Sequence, residues 1–367
     1  MKKLFFLAAT ACVALASCVK NEPADSVNEQ QLISFASPVV GLHTKAATEI
    51  SNNFPTDMTF SVWARYFEDA DNDGLYYTEW PDGKVYMNEV TTSYNQSLGG
   101  WAPATSYYWP KNGTLTFIAY SPSSMADYAS VGTSGIKFTD YDAYTNQVDL
   151  LFSDRAYDKT AIDDDVLGSA TTGGESSVTN DVYAGVHLSF KHALSSILFT
   201  AKLDAAYADS EITLTEITLT NIYSVGTFDQ DVIDAHSAIT STAFWKPKEG
   251  SEKDYTITAE QLLSTTAYYT CNASTTTPTV ANGKRATDWI LIPQGIGEDA
   301  MMVVKYTLKS PDSEPINQIA KLPLASTVEE WELGKRYIYN IIIGLDKIYF
   351  EPYVANWTDG TAQDFEF

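Results

Sequence analysis

Few side chains in this sequence have the types and spacing that catalysis requires. The two closest histidines are five residues apart in a strand-like stretch, which is not a metal-ligand spacing. There is no Gly-x-Ser-x-Gly elbow and no phosphate loop. Asp163-Asp164-Asp165 is more simply a solvated loop than an acid and base pair. We therefore expect neither an enzyme nor a metal or cofactor site. The four histidines are His43, His187, His192 and His236.

The turn from Asp69 to Gly74 has the spacing of the start of an EF-hand calcium loop. The twelfth position of such a loop holds a bidentate glutamate, but here it is Trp80, and Glu79 falls one place early. A solvated acidic hairpin loop explains the same residues. Calcium binding by Asp69 to Glu79 therefore stays open.

The N-terminus carries the residue for which the sequence predicts covalent chemistry. Lys2 and Lys3 precede the apolar run Leu4 to Ala16, which is too short to span a bilayer and has the layout of a secretory signal. Small residues then precede Cys18, an order that resembles the bacterial lipobox. We expect residues 1–17 to be a signal peptide and Cys18 to be the lipidated first residue of an outer-membrane precursor. An ordinary signal with an incidental cysteine is the alternative.

The residues after Cys18 form a polar tether, and residues 32–42 then contain short apolar pieces. They are followed by Thr44-Lys45-Ala46-Ala47, a basic residue among small ones. This order suggests a strand that ends in a protease-accessible loop, with the bond between Lys45 and Ala46 as the candidate cut. A plain N-terminal strand with a surface lysine explains the same residues.

Composition limits the classes of partner. The 367 residues, 44% of them hydrophobic, can bury real cores, and the length favours two domains. The formal net charge of −24 becomes −26 when Lys2 and Lys3 leave with the signal, so nucleic acid and anionic membrane are not expected partners. Cys271 alone remains beside Cys12 of the signal and Cys18, so the mature chain has no pair for a disulfide.

The body reads as β-structure from residue 59 onward. Phe60, Val62 and Ala64 alternate with other residues as a half-buried strand requires, and Asn112-Gly113 predicts a hairpin before the next alternating run. In the second half the apolar phase shifts by one residue near Thr215-Glu216, which predicts a bulge. Residues 258–264 are the one short helix that the pattern suggests. The fold class is therefore all-β.

A long polar stretch, residues 153–181, is the best candidate for a domain boundary. We expect a tether and first strand over 18–45, an N-terminal domain over 46–182 and a C-terminal domain over 183–367. At the start of the second domain, Val186, Leu188 and Phe190 alternate, and a short crossing segment then leads to a further strand from Ile197.

Several segments in order resemble the fimbrillin family of Bacteroidales along nearly the whole exported chain. Besides the lipobox and the loop at Lys45, they are Tyr107-Tyr108-Trp109-Pro110, Phe117 to Pro122, Asp149 to Phe152, Leu188 to Leu194, Leu291 to Gln294 and the tail from Ile348. The resemblance implies two β-sandwich domains of transthyretin-like topology in tandem, and a pilus building block exported as a lipoprotein. It also implies that an outer-membrane protease removes the tether with the first strand, and that a strand from another subunit fills the groove left behind.

Transferred to this chain, the resemblance makes residues 32–42 the removable strand and the C-terminal tail the donor. Its inserting side chains would be Ile348, Phe350, Val354 and Trp357. Pro352 would break a ladder, which suggests two short strands in the tail. The alternative is that the tail closes its own sandwich. Well-studied relatives are cut after arginine, so Lys45 leaves the identity of the protease open.

A surface glycan-binding lipoprotein, or a tip subunit that binds host or bacterial surface ligands, is the alternative class. Sugar platforms need exposed aromatic rings beside polar side chains, whereas strand pockets need buried rings. The tryptophans near predicted loops are the ones to inspect. They are Trp80, Trp101 and Trp245.

Overall fold

The computed structural model describes residues 31–40, 52–68, 80–133, 135–161, 185–230, 244–271, 288–326, 328–345 and 348–356. The strands of the first half are β1 Val39–Val40, β2 Asn52–Asn53, β3 Phe60–Phe67, β4 Lys84–Asn95, β5 Gly100–Pro103, β6 Thr114–Ser121, β7 Ala129–Val131, β8 Ile136–Asp142, β9 Leu151–Ser153 and β10 Ala156–Lys159. Those of the second half are β11 Ser189–His192, β12 Ser195–Leu203, β13 Glu211–Tyr223, β14 Val225–Asp229, β15 Trp245–Pro247, β16 Glu252–Leu262, β17 Tyr269–Cys271, β18 Trp289–Leu291, β19 Gln294–Gly295, β20 Met301–Lys309, β21 Ile316–Pro323, β22 Glu330–Trp331, β23 Lys335–Ile343 and β24 Ile348–Asn356.

The prediction of an all-β fold with few short helices is confirmed. The described residues hold one α-helix, α1 Ala143–Asn146, and short 3-10 turns at Trp80–Asp82, Ser123–Met125, Ala205–Tyr207 and Leu324–Ser326. None of the helices in the part of the chain that the structure describes is long and apolar enough to cross a membrane.

The helix predicted over residues 258–264 is wrong, because this segment belongs largely to β16. Tyr255, Ile257 and Ala259 are buried, whereas Thr256 and Thr258 between them are exposed. This period of two starts before residue 258, and β-branched threonines suit a pleated surface.

The first sheet has the order β2-β1-β11-β9-β6-β3-β4-β5, with β10 also paired to β6. Its central strand β6 is buried at all eight positions. Phe117 points into a core enclosed by this sheet, and Ile118 points into a second core on the other face. A strand covered on both faces reads as a continuous apolar run, as β6 does.

Two further sheets pack face to face in the second half. One has the order β17-β12-β23-β24, with β18 also on β12, and the other has the order β16-β13-β20-β21. Side chains of both, such as Phe199 and Leu214, share one core. The bulge predicted near Thr215-Glu216 is confirmed, because the pairing of β13 with β16 and with β20 shifts register between Leu214 and Glu216.

A fourth sheet joins the two halves of the sequence. Its order is β15-β14-β8-β7, so strands from after residue 220 pair with strands from before residue 143. The core beneath it combines side chains from both halves, among them Trp63, Tyr120, Phe138, Phe152, Phe228, Trp245 and Ile290. The halves are therefore joined by a hydrophobic core as well as by the chain.

The short crossing predicted between two strands is confirmed at Ala193-Leu194, between β11 and β12. The Ala193 N–H donates to the Leu150 carbonyl at 2.7 Å, and Trp245 Nε1 donates to the Ala193 carbonyl at 2.5 Å. The Gly334 N–H donates to the Leu194 carbonyl at 3.0 Å. β11 pairs within the first sheet and β12 within a sheet of the second half. The division of domains at 182 and 183 stays a prediction.

The hairpin predicted at Asn112-Gly113 is wrong in its pairing, although a turn is present. Gly113 has a φ of +75°, and a Cβ there would lie 2.2 Å from the Phe67 carbonyl oxygen. The segment before the turn bonds to Gln31, through the Trp109 N–H at 3.0 Å. β6 after the turn pairs with β3, β9 and β10. The turn therefore leads to non-local partners.

Candidate functional site

The N-terminal segment Gln31 to Ala36 lies between the chain around Trp101 and Tyr107 on one side and Val186 on the other. On one side, the Ile33 N–H donates to the Tyr107 carbonyl at 2.8 Å, and the Phe35 N–H donates to the Trp101 carbonyl at 2.8 Å. The Trp101 N–H returns a bond of 2.9 Å to the Phe35 carbonyl. These are the bonds of an antiparallel pair of strands.

The other side of the segment bonds to Val186. The Val186 N–H donates to the Ser34 carbonyl at 2.9 Å, and the Ala36 N–H donates to the Val186 carbonyl at 3.1 Å. The chain continues into β1, which pairs parallel with β11 and antiparallel with β2. Since Trp101 belongs to β5 and Val186 lies three residues before the start of β11, the N-terminal segment closes the first sheet on itself. A closed sheet has no free edge there.

The inward side chains of this segment fill the first core. Ile33, Phe35 and Val40 are 2%, 0% and 2% exposed. The Phe35 ring meets Phe60 edge-on at 5.5 Å between centroids and Phe117 at 5.6 Å. Such aromatic pairs contribute beyond the buried area alone. The segment is therefore part of the core.

Two glycines let neighbouring backbone approach the segment closely. A Cβ on Gly100 would lie 2.9 Å from the Phe35 carbonyl oxygen. Gly185 has a φ of +87°, and a Cβ there would lie 2.7 Å from the Ala36 nitrogen and 2.8 Å from the Ser34 carbonyl oxygen. Only residues without a side chain fit at these places.

Removal of this segment would open an apolar groove. The groove would expose backbone groups of residues 101–109 on one edge and of Val186 on the other, and the core residues that Ile33 and Phe35 cover. An open edge beside apolar side chains is a template for another strand. The core residues near the segment are Phe54, Phe60, Trp101, Trp109, Phe117 and Phe190.

The C-terminal tail forms β24, the edge strand of its sheet. It pairs antiparallel with β23 over nine positions, from Ile343 opposite Ile348 to Lys335 opposite Asn356. Val354 stands opposite the buried Tyr337 yet is 46% exposed, and Tyr349 and Tyr353 are 40% and 37% exposed. β24 thus covers its own sheet incompletely.

The expectation of two short strands in the tail is wrong. β24 runs without interruption through Pro352, which pairs with Tyr339. Proline lacks an N–H but is accepted in an edge strand, where one side of the backbone has no ladder partner. The predicted inserting residues Ile348, Phe350 and Val354 all lie in β24.

Several predicted positions lie outside the described residues. They are Cys18, Lys45, Ala46, Trp357 and the acidic turn 69–79. Within the ranges that the structure describes, no group of three or more histidine, cysteine, aspartate or glutamate side chains is arranged to hold a metal ion.

The three tryptophans proposed as sugar platforms are not exposed. Trp80 and Trp101 are 1% exposed and Trp245 is 3% exposed. Trp101 meets Tyr94 at 4.9 Å, and Trp245 meets Phe228 at 5.5 Å. A ring inside a core cannot stack on a sugar, so these three tryptophans do not supply the exposed platforms that the alternative class of glycan-binding protein needs.

Sequence reasoning missed a buried ion pair between Asp288 and Arg336. Asp288, whose side chain is 0% exposed, accepts from Arg336 Nε at 2.7 Å and from its Nη2 at 3.0 Å, and Ser196 Oγ donates to it at 2.5 Å. The bidentate geometry satisfies the charge in a dry site. Asp288 and Arg336 are 48 residues apart, and the residues around each form no recognisable motif. The sequence therefore does not predict that the two side chains pair.

Two further sets of buried titratable side chains are part of the packed interior. His192 Nδ1 and Asp149 Oδ1 lie 2.8 Å apart with both side chains buried at the crossing between β11 and β12. Burial raises the pKa of the Cys271 thiol to about 12, which makes it a poor nucleophile.

Two solved structures of Bacteroides proteins share this fold. A fimbrial protein from Bacteroides vulgatus ATCC 8482 aligns over 89% of this chain and 100% of that chain, with 15% identity and a TM-score of 0.56. A candidate cell adhesion protein from Bacteroides uniformis ATCC 8492 aligns over 90% and 99%, with 14% identity and a TM-score of 0.50. At such identities the likeness concerns the fold alone. No curated protein matches the sequence.

The sequence model of the fimbrillin-like family matches residues 44–357. The chain therefore belongs to the fimbrillin-like family, and the resemblance drawn from its motifs is confirmed.

Proposed function

We propose that this chain is a subunit of a cell-surface pilus that polymerises by strand exchange. The observation that carries the proposal is the N-terminal segment around Phe35, whose inward side chains Ile33 and Phe35 are buried and whose backbone is bonded on both sides although it precedes the candidate cut. Membership in the fimbrillin-like family supports the pilus role. The fold of the fimbrial protein from Bacteroides vulgatus agrees with it.

In this proposal the precursor is exported with its signal 1–17 and anchored in the outer membrane through acylated Cys18. The N-terminal segment fills the groove of its own chain during export, which keeps an apolar edge out of water. A protease then cuts between Lys45 and Ala46, and the segment leaves. The family match begins at residue 44, next to this bond, which agrees with a mature part that starts there.

The partners of the mature chain are other pilin subunits. The tail from Ile348 of one subunit enters the groove of the next, where ladder hydrogen bonds supply affinity and alternate side chains supply register. The incomplete burial of β24 on its own sheet favours its release for this purpose. The mature protein is a component of the fimbrium at the cell surface.

The experiment that tests maturation is the N-terminal sequence and intact mass of the protein taken from the surface of the native bacterium. We expect a chain that begins at Ala46 and carries no lipid. A Lys45→Ala variant should keep the acylated Cys18 terminus, whereas Lys321→Ala, a change at an exposed lysine far along the chain, should be processed normally. A wild-type surface protein that retains acylated Cys18 would overturn the proposal.

Polymerisation has its own measurement. Unboiled mature protein should give a ladder of detergent-resistant oligomers on gel electrophoresis, and the chain truncated after residue 345 should give monomers only. Polymers formed equally well by the truncated chain would contradict a role for the tail.

A further inference from the structure

We propose that β24 of one subunit occupies the groove of the next in a single register, with Ile348 in the place of Ile33 and Phe350 in the place of Phe35. This inference rests on the proposed function, because it needs the groove to be vacated and the tail to be the donor. What it adds is the identity of the two anchoring side chains and the alignment of the strand.

The groove requires a branched aliphatic side chain followed two residues later by a phenyl ring. Ile33 is 2% exposed, and the Phe35 ring stands edge-on to both Phe60 and Phe117. A side chain of another shape there would leave a void or force the rings apart. In the 367 residues the spacing Ile-x-Phe occurs at four places. They are Ile33-Phe35, Ile136-Phe138, Ile197-Phe199 and Ile348-Phe350.

Of these four, only the last can be offered to another molecule. Ile136-Phe138 lies in β8, between β14 and β7, and Ile197-Phe199 lies in β12, between β23 and the strands β17 and β18. Both strands have partners on each side, and the residues are buried. β24 has β23 as its one neighbour in the described sheet and stands near the end of the chain.

The two alignments shifted by one and by two residues toward the end of the tail place unsuitable residues in the pocket of Phe35. A shift of one residue along the tail brings Glu351 to that place, where its charge would lie among the rings of Phe60 and Phe117 in the first core. In the proposed register Glu351 lies on the opposite face of the strand, in the place of Ala36. A shift of two brings Pro352 to the place of Phe35, and proline cannot supply the N–H that Phe35 donates to Trp101. The proposed register puts a phenyl ring in a site built around a phenyl ring.

The position of Pro352 agrees with the same register. It falls at Ser37, which is exposed and whose N–H, within the described residues, makes no backbone hydrogen bond. The N–H groups that do bond belong to Ile33, Phe35 and Ala36, and the residues that replace them are not proline. Pro352, which has no backbone N–H, therefore falls at a position where the described structure shows no backbone hydrogen bond from the N–H.

The register also makes a demand on the outer side of the groove. Tyr349 and Glu351 replace Ser34 and Ala36, which are 9% and 8% exposed. Gly185 lies against the backbone of both. The segment around Gly185 must therefore move outward to admit the larger side chains. Amide hydrogen exchange of the precursor and the polymer can then be compared. In the polymer, the amide of Trp101 should regain the protection that it has in the precursor, whereas the amide of Val186 should regain less of it.

Cysteine cross-linking tests the register. Leu32 pairs with Tyr108, and these side chains are 43% and 48% exposed, so the site is accessible to oxidant. In the proposed register residue 347 of the donor takes the place of Leu32. Polymers of the Tyr108→Cys, Lys347→Cys variant should form disulfide-linked chains under mild oxidation, with the native Cys271 buried and not competing.

Two matched variants test the alternatives. Tyr108→Cys with Tyr349→Cys reports an alignment shifted by two residues, and Tyr108→Cys with Tyr353→Cys reports the reversed strand direction with Phe350 still in the pocket. Cross-links confined to the Lys347 variant support the proposal. Polymers that cross-link through Tyr349→Cys or Tyr353→Cys instead, or through no pair, overturn the register but leave the proposed function standing. Absence of polymers in the wild type overturns the proposed function itself.

A peptide assay covers variants that fail to fold. A synthetic peptide of residues 346–357 should bind the full-length mature subunit in competition with the tail of its neighbour, and Phe350→Ala in the peptide should weaken binding about tenfold or more. Tyr353→Ala, which lies outside both pockets in this register, should weaken binding less. The reverse order of the two effects would overturn the proposal.

Discussion

Phe35 and Trp101 exchange both of their backbone hydrogen bonds, at 2.8 and 2.9 Å. The two residues lie in segments separated by the whole of β1, β2, β3 and β4, so this pair is a long-range closure of the first sheet. The N-terminal segment is thus hydrogen-bonded in the same way as the other strands of the first sheet. Its removal would therefore leave backbone groups of the sheet without partners.

The first prediction concerns the ring of Phe35. Phe35→Ala in the uncut chain should lower the free energy of unfolding by about 3–5 kcal/mol, because a buried ring is lost and a cavity remains. Leu32→Ala, at an exposed position in the same segment, should change it by less than about 0.5 kcal/mol. Denaturant unfolding followed by fluorescence measures both. Equal effects would mean that the segment is not anchored through its inward face.

The second prediction concerns the close approach at Gly100. Gly100→Ala places a methyl group against the Phe35 carbonyl, so the N-terminal segment should loosen while the rest of the fold persists. Amide hydrogen exchange of Ile33 and Phe35 should become faster, and exchange in β23 should not change. Gly295→Ala is the control, since a Cβ there meets nothing within 4 Å. Unaltered exchange at Phe35 would be inconsistent with this steric role.

The third prediction concerns the Asp288–Arg336 ion pair. Arg336→Met should lower the free energy of unfolding by about 3–5 kcal/mol, since it leaves the buried carboxylate without its counter-charge. Lys309→Met, which breaks an exposed pair with Glu211, should cost less than about 1 kcal/mol. The double variant Asp288→Asn, Arg336→Met should recover part of the loss. Thermal unfolding at two salt concentrations separates the buried pair from the screened one.

The fourth prediction concerns alkaline pH. Burial raises the pKa of Tyr337 to about 12, and that of the neighbouring Tyr339 is also raised. From about pH 10 upward the unfolded chain loses these protons while the folded chain keeps them, so stability present below pH 10 declines toward pH 12. Each such group should contribute a fall of about 1.4 kcal/mol per pH unit.

Tyr337→Phe tests this dependence on pH. It should reduce the slope of unfolding free energy against pH between 10 and 12, at the cost of the hydrogen bond that the Glu332 N–H donates to the Tyr337 hydroxyl at 2.8 Å. A slope that does not respond to Tyr337→Phe would show that other groups govern alkaline unfolding.

Alternation along the chain was enough to predict many strands and one irregularity. The strand from Phe60, the crossing after β11 and the bulge at Thr215 all follow from which neighbouring residues are apolar. These are local properties, since the pleat repeats every two residues whatever the partner strand. Even the helix error over 258–264 arose from a window that started too late to show the period of β16.

Which strands pair with one another was not predictable from local alternation. Nothing around Val225 or Trp245 indicates that β14 pairs with β8 on one side and with β15 on the other, in a sheet shared by both halves. The turn at Gly113 was visible, but not that its flanking segments bond to Gln31 and to β3. Aromatic residues near turns were ambiguous for the same reason, because burial of Trp80 and Trp101 depends on distant elements.

The fourth sheet determines how the chain resists a mechanical force that pulls its two halves apart. A pull that separates the two halves does not fall on the Ala193-Leu194 crossing alone, because β8 and β14 are joined by ladder bonds and the core beneath them includes Phe138 and Phe228. These contacts must fail together, so the junction resists bending and stretching as one stiff element. In a fibre of such subunits, flexibility would reside between subunits and not within them.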